Sequence, residues 1–232
     1  MPDDTHYSAK ALESDSREQH PSEMAAVGAG RKRPKPGERR EQILQALASM
    51  LEQPGGERIT TAALAARLQV SEAALYRHFA SKAQMFEGLI AFIEESVFSL
   101  INQIVEREQS MQDHCGQGVG SRQAASIVTM LIQFAEKNSG MARVMVGDAL
   151  VFENERLQQR MNQFFDKVEA TLKQCLRDGT SDLAQQSPSS DAQVRSTVLA
   201  AFLTGRLQRF VRSGYRRLPS EHLDASLRLL LG

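Results

Sequence analysis

The sequence predicts an all-α protein on three observations. From residue 38 onward, apolar residues recur at helical spacing in one run after another. Clusters of Pro, Gly, Ser, Asn and Asp separate those runs. No stretch reads as a strand. With 232 residues and 41% hydrophobic content, the chain is long and apolar enough for a real core, in one two-part domain or two small ones.

Taken in order, residues 1–37 lack periodicity and are rich in Ser, Glu, Asp, Ala, Gly and Pro, the composition of a disordered tail. Pro34 and Pro36 stop any helix from crossing into the next segment. From Glu38, the spacing of Ile43, Leu44, Leu47, Met50 and Leu51 predicts a first helix, ended by Pro54-Gly55-Gly56. Two short helices are expected over 61–68 and 72–79, separated by Gln69-Val70-Ser71. Ser71 is a good N-cap, and Glu72 suits the positive end of the helix dipole. Ser81-Lys82-Ala83-Gln84 is a capping-box pattern opening a long helix to about residue 108. Its expected buried stripe is Met85, Leu89, Phe92, Ile93, Val97, Leu100, Ile101 and Ile104. A loop with Gly116, Gly118 and Gly120 follows, and with no strand before it this is not a dinucleotide fingerprint. Further helices are expected over 122–137, 141–151, 153–177, 192–217 and 220–231, with a loop over 178–190. The predicted organisation is a tail (1–37), a three-helix DNA-binding domain (38–84), and a helical regulatory and dimerisation domain (85–232).

Several function classes fall away. Cys115 and Cys175 fit no metal or redox spacing, and adjacent residues such as Asp113-His114-Cys115 rarely converge on one ion. No metal site or cofactor is expected, and reduced thiols suit a cytoplasm. No Ser/His/Asp set, metal cluster or phosphate loop supports an enzyme. No uninterrupted apolar run approaches the roughly 20 residues of a bilayer span, and the polar start MPDDTHYSAK is no secretory signal.

The net charge of zero hides an asymmetry. Residues 1–30 carry six acids against two bases, whereas residues 31–88 carry ten bases against six acids. A basic segment behind an acidic tail is the footprint of a polyanion-binding module. Within it, three helices with a tight turn before the last form a helix-turn-helix, which puts its final helix into a DNA major groove. Ile59, Leu64, Leu68, Val70, Leu75 and Phe79 have the spacing of its small core. Thr60, Thr61, Ser71, Tyr76, His78 and Lys82 would each donate to a phosphate, although the Thr and Ser also serve as caps. The recognition helix offers Glu72, Ala73, Ala74, Tyr76 and Arg77, with no Asn or Gln to grip adenine. Direct readout would rest on methyl contacts from Ala73 or Ala74 to thymine and on Arg77 to guanine, with DNA shape supplying the rest. The Arg31-Lys32-Arg33-Pro34-Lys35 arm either enters a flanking minor groove or is a solvated linker.

The stretch RITTAALAARLQVSEAALYRHFASKAQMF, residues 58–86, resembles the N-terminal domain of TetR-family regulators, with Leu75-Tyr76-x-x-Phe79-x-Ser81-Lys82 as its most specific block. EKNSGM (136–141), ALVFENERLQQRMNQFFDKVE (149–169) and RFVRS (209–213) are similar to a branch of that family that acts in nucleoid occlusion. The resemblance covers nearly everything from Arg39 to Leu231 and implies a TetR-like fold. It further implies a nucleoid-associated homodimer on palindromic double-stranded DNA, with Arg39 and Arg40 joining the DNA contacts. DNA-bound members of that branch antagonise polymerisation of the tubulin-like division protein FtsZ. They hold its C-terminal tail in a groove near the fourth helix and the helix after it. Here that groove would include Phe92 and Glu136-Lys137-Asn138. Where the branch often has Arg-Asn-Pro-Gly, this chain has Lys137-Asn138-Ser139-Gly140, which keeps the charge but not the bidentate guanidinium.

Near the C-terminus, Leu199, Leu203, Arg206 and Phe210 recur at helical spacing, and Gly205 permits close helix approach. Leu223, Leu227, Leu230 and Leu231 make a second stripe. Two such helices per subunit would build a four-helix dimer interface, or would be ordinary intrachain core. A rival reading is a repressor released by a small apolar ligand, with Phe134, Met141, Met145, Phe152, Met161 and Phe164 lining its pocket. Met and Phe at helical spacing are more often core, and no small-molecule ligand is expected.

Overall fold

The computed structural model describes residues 37–53, 59–110, 118–178 and 188–232, which belong to one compact unit. The Arg31–Lys35 arm, the acidic tail, Pro54-Gly55-Gly56, the Asp113-His114-Cys115 run and most of the 178–190 loop lie outside these residues. Nine α-helices occur among the described residues, with no strand. They are α1 (Glu38–Leu51), α2 (Thr61–Arg67), α3 (Glu72–Tyr76), α4 (Lys82–Ser110), α5 (Val119–Lys137), α6 (Ser139–Met145), α7 (Glu155–Asp178), α8 (Pro188–Arg212) and α9 (Leu223–Leu231), with a 3₁₀ turn at Asp148–Leu150. The boundary expected at 84–85 falls in the first turn of α4, which runs unbroken from the DNA-binding unit into the body.

Amphipathic periodicity explains the assembly. α7 buries Leu157, Met161, Phe164, Val168 and Leu172, spaced three and four apart, against α4, α5 and α8. Each such side chain contributes about 1.5–3 kcal/mol of transfer free energy. Phe164 sits edge-on to Phe98 and Phe165, with ring centroids 5.7 and 5.2 Å away. Met145, Met161 and Phe164 are core, Phe134 and Met141 pack partly buried against it, and Phe152 is exposed. Five of the six thus belong to the core or its margin, and Phe152 lies at the surface. α4 is long and apolar enough, by length and composition alone, to cross a membrane. Met85, Leu89, Ile93, Val97 and Ile101 on it are buried in the core.

Several boundaries differ from those expected. Phe92 and Leu100 leave the α4 stripe for the surface, because a 3.6-residue repeat already places Ile93 and Ile101 inward. α5 begins three residues early, with Gly118 in the left-handed conformation before it and Gly120 buried in its first turn. The helix expected over 141–151 breaks at Gly147, whose φ of 78° ends α6 and starts the 3₁₀ turn. α8 stops at Arg212 rather than 217, because Gly214 and Tyr215 both turn left-handed.

The DNA-binding unit is held to the body at a second seam. Gly140 in α6 lies so close to α1 that a Cβ there would fall 2.1 Å from the Ala48 carbonyl oxygen. Arg143 donates to the carbonyls of Leu51 (3.3 Å) and Gln53 (3.4 Å) while pairing with Asp148 at 2.7 Å. The Tyr215 hydroxyl donates to the same Leu51 carbonyl at 3.1 Å. Carbonyls left open at the end of α1 are thus satisfied by side chains from far along the chain.

Candidate nucleic-acid interface

The two short helices are set at a fixed angle by a turn that the residues themselves close. Val70 N–H donates to Ala65 C=O and Gln69 N–H to Ala66 C=O, a Schellman closure of α2. Gln69 takes the left-handed position at φ 54°, where glycine is usual. Leu64, Leu75 and Phe79 are buried beneath the turn, with Ile59, Leu68 and Val70 partly so. Arg67 ties α2 to α1 through the Ser49 hydroxyl at 2.8 Å.

Caps and ties occupy several of the expected phosphate donors. Thr60 Oγ1 accepts from Ala63 N–H (3.1 Å) and Ser71 Oγ from Ala74 N–H (3.3 Å), so both are N-caps. Thr61 donates to the Glu72 carboxylate at 2.6 Å, joining the starts of α2 and α3. Arg40 donates to His78 C=O at 3.1 Å and stacks 4.2 Å above the Phe79 ring, which fastens the start of α1 to the end of the recognition segment. Arg39 is half-buried and bonds Gln42 at 2.8 Å. Ser81 caps α4 through Gln84 N–H (3.2 Å), and Gln84 returns a bond to Ala80 N–H (2.9 Å), one residue before the partner a capping box uses.

Exposed on α3 are Glu72, Ala73 and Tyr76, the last 46% exposed, and Arg77 and His78 are exposed just after the helix, which ends at Tyr76 rather than at 79. Ala74 is half-buried, which leaves Ala73 the better placed of the two methyls. Lys82 is paired and only partly exposed. Its ammonium is paired with Glu153, just before α7, and the side chains are only 20% and 8% exposed. No local signal predicts that pairing across 71 positions.

The remaining predicted residues scatter. Phe92 is 48% exposed on α4. At the α5–α6 turn, Lys137 is exposed, Asn138 bonds back to Phe134 C=O (2.8 Å), and Glu136 accepts from Ser220 N–H (2.9 Å) before α9. Leu199, Leu203, Phe210, Leu223 and Leu227 are buried in the subunit's own core, which corrects their placement at a dimer interface. Leu230 is half-buried against the same core. Arg206 is spent inside the subunit, donating to Pro219 C=O (3.2 Å), Glu221 C=O and Ser226 Oγ (2.9 Å). Gly205 is half-exposed with open space beside it. The outer face of α8 carries instead Val194, Val198 and Ala201 next to Gly205, and α9 exposes Leu229. Among the described residues no group of three metal-ligating side chains occurs.

Residues 43–89 match the family model for bacterial regulatory proteins of the tetR family, and residues 122–232 match that for a tetracyclin-repressor-like C-terminal domain of SlmA-like type. Similar solved structures include a transcriptional regulator FadR from Bacillus subtilis in complex with stearoyl-CoA (TM-score 0.60, 15% identity, 83% of this chain and 97% of that one). A TetR-family transcriptional regulator, PfmR from Thermus thermophilus, has TM-score 0.55, 18% identity, and covers 83% and 95%. Both establish the fold. Sequence relatives are closer. The nucleoid occlusion factor SlmA of Idiomarina loihiensis is 46% identical over 83% of this chain and 93% of its own. That of Shewanella pealeana is 49% identical over 80% and 89%. The chain is a DNA-binding regulator and not an enzyme. With a helix-turn-helix whose recognition face is outward and near-half identity over four-fifths of its length, the chain belongs to the SlmA family of nucleoid occlusion factors within the TetR-type regulators.

Proposed function

We propose that this chain acts as a nucleoid-associated cytoplasmic homodimer that binds palindromic DNA sites and, while bound, antagonises FtsZ polymerisation so that septa do not close over the chromosome. The observation that carries this is the 46–49% identity to nucleoid occlusion factors along both halves of the chain, not the DNA-binding half alone. DNA contact falls to Ala73 and Tyr76 on α3, to Arg77 and His78 just after it and to Lys82 at the start of α4, with the caps Thr60 and Ser71 presenting the starts of α2 and α3. The FtsZ tail would be taken near Phe92 and the Glu136-Lys137-Asn138 turn, where Phe92 and Lys137 are exposed. Dimerisation would use the outer face of α8 and the exposed Leu229 of α9.

Sedimentation of FtsZ polymers tests the reading. The full-length protein with a palindromic duplex recovered by selection is expected to reduce pelleted FtsZ far more than the protein alone. Equal pelleting with and without duplex would remove the division role and leave the DNA-binding role intact.

A further inference from the structure

The ion pair at the start of α4 sits between two competing anions. Lys82 is the first residue of α4, six positions beyond the end of the recognition helix. Its ammonium lies 5.6 Å from the Phe86 ring centroid and is paired with Glu153. Glu153 belongs to the turn between the 3₁₀ segment and α7, where its own N–H donates to Leu150 C=O at 3.0 Å. That carboxylate also lies just ahead of the N-terminus of α7, where the helix dipole favours negative charge. A phosphate brought to Lys82 would meet it. The two anions repel, and a single lysine charge neutralised by one is worth less to the other.

The rest of the α4–α7 contact does not depend on this pair. Two turns further along, Arg160 grips Glu94 with two bonds (2.7 and 3.2 Å) and reaches Glu87 C=O at 3.3 Å. A forked guanidinium on a carboxylate is a fixed anchor, whereas a lysine on a flexible stem changes partner readily. The Arg160 anchor of α7 on α4 therefore does not depend on Lys82.

We propose that Glu153 is a built-in competitor with DNA phosphate for Lys82, so that docking on DNA withdraws Lys82 from the turn before α7 and reports occupancy to the body. The inference rests on the reading that Lys82 meets phosphate in the DNA complex. Glu153 then sets DNA affinity without touching DNA, as a positioning residue acting through Lys82.

Fluorescence anisotropy of the full-length protein on a mixed-sequence duplex across a salt series decides it. Glu153→Gln is expected to bind about three- to tenfold tighter with an unchanged log–log salt slope, because Lys82 meets the same phosphate in both complexes and only the competing carboxylate is gone. Lys82→Ala should bind more weakly with a slope shallower by about 0.9, and the double variant should match Lys82→Ala. A tie that is merely structural predicts the reverse sign for Glu153→Gln, so wild-type or weaker binding by that folded variant overturns the proposal. Unchanged affinity and slope for Lys82→Ala removes the phosphate reading, and the inference with it. Hydrogen exchange on the wild-type protein needs no variant. DNA should lower protection at 150–154 while leaving protection around Arg160 unchanged, and equal protection at 150–154 with and without DNA also overturns it.

Discussion

Tyr215 and Arg143 close the end of α1 from points 164 and 92 residues away, and both spend a donor on Leu51 C=O. Burial, with the nearby charges of Asp148 and Glu52, raises the Tyr215 pKa above its ordinary 10.0, against the opposing pull of Arg143. Because the folded value lies above the unfolded one, the stability held by the neutral phenol is fully present below about pH 10 and is lost as pH rises through the folded pKa. Ionisation would also take away the proton donated to Leu51. Denaturation curves from about pH 9 to about pH 12 are thus expected to fall more steeply for the wild type than for Tyr215→Phe. At neutral pH that variant should cost about 1 kcal/mol, the net worth of one hydrogen bond. Parallel curves would mean that the phenol titrates alike in the folded and unfolded chain. None of this was legible in the sequence. Tyr215 falls where a continuing helix was expected, and its partner is a backbone carbonyl that carries no side-chain signal.

At the level of elements, helix existence was readable because one buried face repeats every three or four residues, as α7 does from Leu157 to Leu172. Breaks were less readable. Gly147 ends α6, yet apolar residues resume at Ala149, Leu150 and Val151, so hydrophobicity continues where the helix does not. The α2 turn was placed correctly from Gln69-Val70-Ser71, although Gln69 gives no hint that it adopts a left-handed φ. Gly140 is the element-scale residue with the sharpest consequence. The clash a methyl would make is with the Ala48 carbonyl oxygen, which is part of the α1 backbone and cannot rotate away as a side-chain tip would. Gly140→Ala must therefore part α1 from α6, and overpacking of this kind costs about 1–3 kcal/mol. Urea denaturation measures it, and hydrogen exchange should show the loss concentrated in α1 and α6. Gly205→Ala, with nothing within 4 Å of the added carbon inside the subunit, is the matched control and should leave monomer packing unchanged.

Across the whole molecule, the helix-turn-helix is joined to the body three times: covalently along α4, through the α1–α6 seam at Gly140, and through the Lys82–Glu153 pair. The first two do not depend on the Lys82 ammonium and persist on DNA, so the spacing between two recognition helices there is set by how two bodies meet. This makes the outer face of α8 the decisive surface. Apolar stripes at Leu199–Phe210 and Leu223–Leu231 pointed to helices that bury a face, but periodicity cannot say whether the cover is the chain itself or a second copy. Burial decides in favour of the chain itself for Leu199, Leu203 and Phe210, and leaves Val198 at 43% and Leu229 at 87% exposed. A charge placed there is harmless to a monomer and expensive in an apolar contact between copies. Val198→Glu with Leu229→Glu is therefore expected to keep the circular-dichroism spectrum and thermal midpoint of a folded helical chain while sedimenting at the monomer mass. On a palindromic duplex its affinity should drop toward that of a single half-site, and the loss should vanish on a duplex carrying only one half-site. A double variant that still sediments as a dimer would place the interface elsewhere, whereas one that loses half-site binding as well would mean that this face supports the subunit rather than its partner.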